Sequence, residues 1–446
     1  MLFPLIRHQD AAAAFAYRNG QPPIRVGQFL RDVSHLAAML PARRYLLNFC
    51  TDRYRFVVGF CAALLREQVS LLPPNQTLDL VAQLKNQYAD VYCLTDASTE
   101  HSLLETVFYP PDEGASINIE QFEVPHIPAA QVAALVFTSG STGQPAPHRK
   151  TWGSLVDSAL AEVSHLGLAD SIGMTILGTV PPQHMYGLES TVLLVLQGGF
   201  AMFAGRPFYP ADIRAALQDL PRPRGLVTTP VHLRVLLAET DAVPPIDFML
   251  CATAPLPPQL AAEAESRFGA LLQEIYGCTE SGQVAVRRPV ETPAWRLFRN
   301  LHLRQDDKGT WVKGGHVETE ILLNDVIEVR GENGFLLHGR TTDLINIAGK
   351  RTSLANLNYH LNSIPGVLDG VFVMPDDADQ IVPRLMAFVV APELTSDAVL
   401  QALRQRVDAA FLPRPLYFVA ELPRNATGKL TREALRRLAV DAEKTE

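Results

Sequence analysis

The sequence has few cysteines, and no pattern that would join them or bind a metal. Its 446 residues include five cysteines, at positions 50, 61, 93, 251 and 278. They form no CxxC pair, and none stands at a metal-ligand spacing from a histidine. A disulfide-stapled secreted domain and a Cys/His metal site are therefore excluded. We expect reduced, mostly buried thiols in a cytoplasmic protein.

Basic charge and long hydrophobic runs are also scarce. The formal net charge is −8, so no global basic field would attract nucleic acid. The most apolar stretch, residues 192–204, is interrupted by Gln197-Gly-Gly and is too short to span a bilayer. The apolar run before Arg7 is too short to predict a signal peptide. We expect no nucleic acid partner and no membrane span.

Two widespread catalytic motifs are missing. A GxSxG nucleophile motif does not occur, which argues against an α/β-hydrolase type of serine enzyme. The pairs Gly349-Lys350 and Gly428-Lys429 have neither the upstream glycine nor the following Ser or Thr of a Walker loop. Any nucleotide site must therefore be built differently.

A loop of small hydroxylated residues and glycines follows an apolar, strand-like run at residues 133–137. The loop reads Thr138-Ser-Gly-Ser-Thr-Gly-Gln-Pro145, and a helical pattern follows at residues 152–166. Glycines let the backbone approach an anion closely, and hydroxyl groups add hydrogen-bond donors. A solvated Ser/Gly linker is the alternative interpretation. The flanking strand and helix favour a phosphate-binding loop.

Helical and strand-like patterns alternate along most of the chain. Helical apolar spacing occurs at residues 28–40, 55–67, 81–87, 152–166, 188–196, 211–219, 231–239 and 257–268. Strand-like runs occur at 45–49, 69–72, 91–94, 175–180, 200–203, 225–228, 248–251 and 271–275. With 47% hydrophobic residues, this predicts an α/β domain with a largely parallel sheet. Short strands and turn signals at 284–337 predict an antiparallel subdomain.

A domain boundary is expected near Gly339-Arg340. Beyond it lies a small α+β pattern, with strands near 344–348, 367–373 and 384–391 and helices near 354–363 and 396–411. A basic amphipathic helix is expected at residues 431–438. We therefore predict a large domain over residues 1–339 and a small one over residues 340–446.

Four signatures occur in a fixed order along the chain. They are the loop at 138–145, then Pro181-Pro-Gln-His-Met-Tyr-Gly187, then Tyr276-Gly-Cys-Thr-Glu280 preceded by Cys251-Ala-Thr-Ala-Pro-Leu256, and a C-terminal set made of Asp325, Gly339-Arg340, Gly349-Lys-Arg351 and Leu422-Pro-Arg-Asn-Ala-Thr-Gly-Lys429. Together they resemble the adenylate-forming superfamily of acyl- and aryl-CoA synthetases, luciferase and peptide synthetase adenylation domains. The resemblance covers roughly residues 28–438, in a short stand-alone form.

The resemblance implies an ATP- and Mg²⁺-dependent acid–thiol ligase. Such enzymes join a carboxylate to AMP, release pyrophosphate, and then let a thiol displace AMP. The substrate carboxylate is the nucleophile of the first step, so the protein must mainly neutralise phosphate charge and exclude water. The small domain alternates between two placements in this family and is expected to be mobile. Its hinge residue is Thr342 or Asp343.

The resemblance also assigns roles to individual residues. Tyr276 would stack on adenine, Thr279 would touch the α-phosphate, and Glu280 would bind Mg²⁺. Lys429 would be the adenylation lysine, unless it merely starts the following helix. His184 would lie between the acyl pocket and the reacting carboxylate, unless it is a satisfied core histidine. The remaining expected binding residues hold the phosphates (Thr138, Ser139, Gly140, Ser141, Thr142, Gly143), the adenine (Ala252, Thr253, Ala254), the ribose (Asp325, Arg340) and the thiol arm (Gly349, Arg351).

Two positions depart from the family pattern. Ala146 stands where the loop usually has lysine, and Leu323-Asn324 replaces the Thr-Gly before Asp325. His148, Arg149 and Lys150 are candidates for the missing charge, although Pro147 intervenes.

Acceptor and acid are left open by the sequence. The thiol is CoA or the phosphopantetheine of an acyl carrier protein. Few basic residues mark a CoA nucleotide site, which favours the carrier protein. An aromatic or medium-chain acid is expected, with an apolar pocket furnished by residues 200–208 and Met185-Tyr186, unless those residues are core. The alternatives are an adenylate-forming enzyme with a non-thiol acceptor and a non-catalytic nucleotide-binding relative.

Overall fold

The computed structural model describes residues 1–97, 103–110, 122–139, 145–340, 344–347, 350–374, 385–424, 430 and 434–438, with the backbone alone at 139, 145, 340, 344, 346 and 351. Within these residues, no helix is long and apolar enough to cross a membrane. The five cysteines are free thiols, and four of them are buried.

The helices follow the predicted alternation. They are α1 (Val26–Met39), α2 (Arg53–Leu65), α3 (Leu78–Gln87), α4 (Trp152–His165), α5 (Met185–Gly187), α6 (Leu194–Gly198), α7 (Pro210–Asp219), α8 (Pro230–Ala238), α9 (Pro258–Phe268), α10 (Leu354–Asn362) and α11 (Ser396–Arg404). A π-helical segment, Leu188–Leu193, joins α5 to α6. The helix expected at 396–411 ends at Arg404, and a separate 3₁₀ turn follows at Ala409–Phe411, where the Asp408 carboxylate accepts the Ala410 amide.

The strands are short, and most of them lie in two large sheets. In chain order they are β1 (Leu2–Pro4), β2 (Ala14–Tyr17), β3 (Ile24–Arg25), β4 (Tyr45–Asn48), β5 (Val69–Leu72), β6 (Val91–Thr95), β7 (Thr106–Phe108), β8 (His126–Pro128), β9 (Val132–Ser139), β10 (Pro145–Thr151), β11 (Thr175–Gly178), β12 (Ala201–Phe203), β13 (Arg224–Thr228), β14 (Phe248–Cys251), β15 (Leu272–Cys278), β16 (Gly282–Arg287), β17 (Trp295–Leu297), β18 (Leu301–Asp306), β19 (Gly309–Gly314), β20 (Val317–Leu323), β21 (Asp325–Arg330), β22 (Gly334–Arg340), β23 (Leu344–Ile347), β24 (Lys350–Ser353), β25 (Asp369–Val373), β26 (Met386–Val390) and β27 (Leu416–Phe418).

Among the described residues, the first large sheet has the order β10-β9-β5-β4-β6-β7 and the second the order β21-β22-β17-β16-β15-β14-β13-β11-β12-β2-β3. Parallel pairing runs from β9 to β7 in the first and from β15 to β2 in the second. Antiparallel pairing begins beyond β15, where β16, β17, β22 and β21 follow. The predicted α/β fold with a parallel sheet and an antiparallel extension is confirmed.

Helix α2 lies inside the large core. Its N-terminus is capped by the Asp52 carboxylate, which accepts the Arg55 amide at 2.9 Å. Nearly all of its residues from Arg53 to Leu64 are buried, as expected of a helix that is apolar on every side. The fully buried Arg53 guanidinium donates to the carbonyls of Gly178 and Val180. It thereby fixes the chain where β11 ends.

Strand β10 was not predicted from the sequence. Pro145 and Pro147 argue against a strand, because proline cannot donate a hydrogen bond to the ladder. The structure accommodates both prolines because β10 is the edge strand of its sheet and pairs only with β9 among the described residues. The phosphate loop therefore joins two antiparallel strands and does not lead directly into a helix.

The C-terminal part has its own hydrophobic core, formed by α10, α11 and the sheet β25-β26-β27. Ser353 caps α10 by accepting the Asn356 amide at 3.1 Å. The Asp369 carboxylate at the start of β25 accepts hydrogen bonds from Nε and Nη2 of Arg424, each at 2.7 Å, and lies 3.5 Å from Nη1 of Arg234 in α8. The second large sheet also meets this part where Ser353 donates to the His338 carbonyl at 2.8 Å.

Candidate active site

Several predicted site segments lie at one edge of the second large sheet. The parallel strands β11, β13, β14 and β15 end at Gly178, Thr228, Cys251 and Cys278. The segment 181–187 follows β11, Ala252 to Ala254 follow β14, and Thr279-Glu280 follow β15. The carboxyl ends of neighbouring parallel strands lie side by side at the same end of the sheet. Segments about 100 residues apart in the chain are therefore close together there.

The segment around His184 is held against these strand ends. The Tyr186 hydroxyl contacts the carbonyl oxygens of Thr228 and Leu250, each at 3.1 Å. Gly187 is required by close approach, because a Cβ there would lie 1.9 Å from the Pro181 carbonyl oxygen. His184 itself precedes α5 with an extended backbone and is partly exposed. The structure thus places His184 at the sheet edge.

The predicted adenine and ribose residues are neighbours. The Tyr276 hydroxyl donates to Asp325 Oδ2 at 2.6 Å. Asp325 is the backbone partner of Arg340 across β21 and β22. The Tyr276 ring packs on Trp295 and Phe335, with ring centroids 5.6 and 5.4 Å away. Tyr276 therefore contacts the side chain of Asp325, whose backbone pairs with residue 340.

The backbone at the adenine segment is strained. Thr253 has φ of +82°, which is an outlier for a β-branched residue. Such strain persists where the surrounding structure imposes it, and it is common at ligand sites. Ala252 is buried and Thr253 and Ala254 are partly exposed, so this turn borders the sheet edge.

The first large sheet contributes the hairpin β9–β10 to the Glu280 turn. The Thr138 hydroxyl lies 3.0 Å from His148 Nε2, and the same nitrogen lies 3.8 Å from Glu280 Oε1. The Lys150 ammonium donates to the Glu280 carbonyl at 2.8 Å. Thr279 occupies the same turn. Thr138, one of the predicted phosphate residues, and Glu280, the predicted magnesium ligand, therefore lie on either side of His148 Nε2.

Lys150 belongs to a buried polar group that sequence reasoning missed. Its side chain and Glu189 line a cavity of about 10 Å³, together with Ser158, Ser281 and His316. Such a volume holds about one water molecule. Glu189 Oε1 accepts the Ser158 hydroxyl at 2.8 Å and the Gln283 amide at 3.2 Å. The sequence offered one indication of this buried polar group, namely the glutamate at 189 within the largely apolar run 188–196.

Burial shifts the titration of this group. Burial lowers the pKa of Lys150, and the Glu189 carboxylate opposes that change. Burial raises the pKa of Glu189 to about 7, with Lys150 opposing, and raises that of the neighbouring Glu162 to about 8. Burial lowers the pKa of His316 to about 4 and also lowers that of His148, against the attraction of Glu280. Burial therefore disfavours the charged forms of Lys150, Glu189 and Glu162, and the attraction between Lys150 and Glu189 counteracts this effect for those two groups.

Several predicted residues cannot be placed. Gly140, Ser141, Thr142, Gly143, Gly349, Lys429 and the hinge candidates Thr342 and Asp343 lie outside the described residues. Ser139, Arg340 and Arg351 are described by their backbone alone. Arg351 lies in β24, opposite Asn346.

Residues 200–208 are mostly core. Phe200, Met202 and Phe203 are buried, and β12 lies inside the second sheet between β11 and β2. Phe208 is 46% exposed and packs edge-on against His232, with centroids 5.0 Å apart. Of the two interpretations given for this segment, a pocket or core, residues 200–203 therefore agree with the core.

A preformed metal cage is absent from the described residues, which contain no group of three or more His, Cys, Asp or Glu that could hold an ion. Mg²⁺ does not need such a cage, because it is commonly bound through one or two carboxylates together with water and substrate phosphates. The single carboxylate of Glu280 beside the phosphate hairpin fits that donor set.

Comparison with known proteins gives consistent matches. The family model described as "AMP-binding enzyme" matches residues 39–310. The 2-succinylbenzoate–CoA ligase of Bacillus cereus is 30% identical over 399 residues, covering 78% of this chain and 79% of that enzyme. The 4-coumarate–CoA ligase of Rhodobacter capsulatus is 29% identical over 310 residues, covering 67% and 75%.

A solved structure shares the whole architecture. It is the o-succinylbenzoate–coenzyme A synthetase of Bacillus subtilis in complex with ATP and magnesium ion, with a TM-score of 0.77 and 19% identity, covering 95% of this chain and 96% of that one. At this level of identity the match supports the fold.

Proposed function

The chain belongs to the AMP-binding enzyme family and is an AMP-forming acid–thiol ligase, and from this premise we propose that it converts an aromatic carboxylic acid to its CoA thioester. The observation that carries the site assignment is the meeting of three remote segments. The hairpin β9–β10 meets the turn at 279–280 through the contacts of His148 and Lys150 with Glu280. The start of β21 meets β15, the strand before that turn, through the contact of Asp325 with Tyr276.

The first half-reaction forms acyl-AMP. A carboxylate oxygen of the acid attacks the α-phosphorus of ATP, and the bond from that phosphorus to pyrophosphate breaks. We assign Tyr276 to the adenine and Asp325 with Arg340 to the ribose hydroxyls, because a carboxylate accepts and a guanidinium donates. Thr279 and the loop 138–143 would hold the phosphates, and Lys429 would contact the reacting oxygens.

Glu280 would hold Mg²⁺, which supplies charge neutralisation for the phosphates when bound. His184 would separate the acyl pocket from the reacting carboxylate. In the second half-reaction a thiol sulfur attacks the acyl carbon and AMP leaves. Gly349 and Arg351 would border the thiol arm.

We propose CoA as the acceptor because both curated relatives described above are CoA ligases by name. Both names also specify acids that contain an aromatic ring, which supports an aromatic substrate here. A carrier protein is the second candidate, favoured by the scarcity of basic residues that would mark a CoA nucleotide site. The cytoplasmic location stays a prediction from the cysteine pattern.

We also propose the division into residues 1–339 and 340–446, with the small domain moving between the two half-reactions. This division is supported by a separate hydrophobic core, whose buried residues all come from positions 345 to 411. Arg234 and Asp369, 3.5 Å apart, join the two sides of this division.

The function is tested by acid-dependent exchange of labelled pyrophosphate into ATP, across a panel of aromatic and medium-chain acids. We expect exchange with aromatic acids and its loss by orders of magnitude in Lys429→Ala. The same acids are then offered with CoA or with a phosphopantetheinylated carrier protein, and thioester is measured. Exchange without thioester in either case would favour a non-thiol acceptor. No exchange with any acid would favour a non-catalytic nucleotide-binding protein.

A further inference from the structure

We propose that His148 binds the β- or γ-phosphate of ATP, and hence the departing pyrophosphate, in place of the lysine that Ala146 lacks. This inference rests on the function proposed above and assigns a phosphate ligand within that site. Strand β10 carries three candidate residues for this contact, His148, Arg149 and Lys150, and they occupy different environments.

Alternation along β10 decides which side chains face the site. Successive residues of a strand point to opposite faces, so Ala146, His148 and Lys150 share one face and Pro147 and Arg149 the other. Thr138 is directly opposite Ala146, and its hydroxyl reaches diagonally to His148 Nε2 at 3.0 Å. His148 is thus one strand repeat from the expected lysine, on the same face.

Arg149 and Lys150 are committed elsewhere. Arg149 is about half exposed on the opposite face, where its Nη1 lies 3.3 Å from Glu318 Oε2. Lys150 is 7% exposed, and its ammonium donates to the Glu280 carbonyl behind the turn. Arg149 therefore lies on the face opposite His148, and the Lys150 ammonium is shielded from solvent.

His148 has the geometry that the other two lack. Its side chain is 20% exposed and that of Glu280 31%, so both are reachable from solvent. Nε2 faces both the Thr138 hydroxyl and the Glu280 carboxylate. An imidazole N–H is a directed donor, and hydrogen bonds to a charged acceptor such as phosphate are stronger than neutral ones. We assign the pyrophosphate contact to this nitrogen, with a phosphate oxygen taking the place of the Thr138 hydroxyl as its partner.

The test compares His148→Ala with Arg149→Ala, a matched neighbour on the opposite face. Binding of ATP and of pyrophosphate, each with Mg²⁺, is measured by calorimetry, and KM values are measured in pyrophosphate exchange. In His148→Ala we expect Kd for both ligands and KM for pyrophosphate to rise about 10- to 100-fold, the loss of one hydrogen bond to a charged group. KM for the acid should stay within about twofold, since the acid does not contact this residue. Arg149→Ala should match the wild type.

Two further variants separate loss of the contact from loss of structure. His148→Gln keeps an N–H donor and should lose less affinity than His148→Ala. Ala146→Lys added to His148→Ala should recover part of the pyrophosphate affinity, because both positions share one face of β10. The thermal midpoint of each ligand-free variant is recorded, and the His148→Gln comparison decides the matter if His148→Ala does not fold.

Wild-type affinity in His148→Ala, or an equal loss in Arg149→Ala, would overturn this assignment. Failure of the proposed function is a different result, namely no exchange by the wild type with any acid. Calorimetry with ATP still tests His148 in that case.

Discussion

Replacing Lys150 with methionine tests whether the buried ammonium holds the Glu280 turn. Methionine has a similar length and flexibility, so the stem packing is largely kept while the charge and the donor are lost. The Glu280 carbonyl then loses its 2.8 Å hydrogen bond, and Glu189 loses the positive charge that opposes the rise in its pKa.

The expected cost depends on pH. Loss of the charged donor should cost about 1.5–3 kcal/mol at pH 7. At pH 7 Glu189, whose pKa is about 7, is about half protonated. The loss of the positive charge of Lys150 beside it therefore adds little to the cost at this pH. At pH 9 the wild-type carboxyl is ionised. While Lys150 keeps its proton, each unit by which the variant raises the pKa of Glu189 adds about 1.4 kcal/mol. Lys150→Met should therefore be more destabilising at pH 9 than at pH 7.

Urea unfolding followed by tryptophan fluorescence measures this cost. The three tryptophans, Trp152, Trp295 and Trp311, all precede residue 340 and report on the part of the chain that contains Lys150. Adding Glu189→Gln should remove the extra cost at pH 9, because no carboxylate remains to be neutralised. Arg149→Met is the matched control, and as an exposed ion pair it should cost less than about 1 kcal/mol. A cost for Lys150→Met that equals the control at both pH values would refute the reasoning.

Three further predictions concern the same region. Tyr276→Phe removes the hydroxyl that donates to Asp325, and we expect KM for ATP to rise about tenfold, the equivalent of roughly 1.4 kcal/mol, as measured in pyrophosphate exchange. Thr253→Gly relieves the strain at φ of +82°, and we expect the free energy of unfolding in urea to rise by about 1 kcal/mol. Glu162→Gln removes a carboxyl whose pKa is raised by burial to about 8, and we expect it to reduce the loss of stability between about pH 5 and 9.

The sign for Glu162 follows from proton counting. The folded state holds its proton up to about pH 8 and the unfolded state only to the ordinary glutamate range, so the folded state binds more protons between these limits. The stability that Glu162 contributes is therefore fully present at low pH and is lost as the pH rises through 8. An unchanged pH profile in Glu162→Gln would contradict this account. For Tyr276→Phe the contradicting result is an unchanged KM for ATP, and for Thr253→Gly it is a loss of stability.

Strand β10 illustrates what the sequence could not reveal. Two prolines within three residues argue against a strand. The edge position that makes them acceptable is a property of the assembled sheet. Without the strand, the shared face of Ala146, His148 and Lys150 was not visible, and the three candidate cations after Pro147 could not be ranked. Because Lys150 lies on this unpredicted strand, its position beside Glu189 was not predicted either.

By itself, the sequence determined the α/β architecture and the family, because alternation of helical and strand-like patterns and ordered motifs are local properties of the chain. It also predicted Tyr276, Glu280 and Asp325 as site residues. Only the tertiary structure decided which groups meet. The 3.8 Å approach of His148 to Glu280, the burial of Lys150 beside Glu189 and the contact of Tyr276 with Asp325 join segments far apart in the chain. Such distances depend on sheet order and register, which are set by the packing of the whole domain.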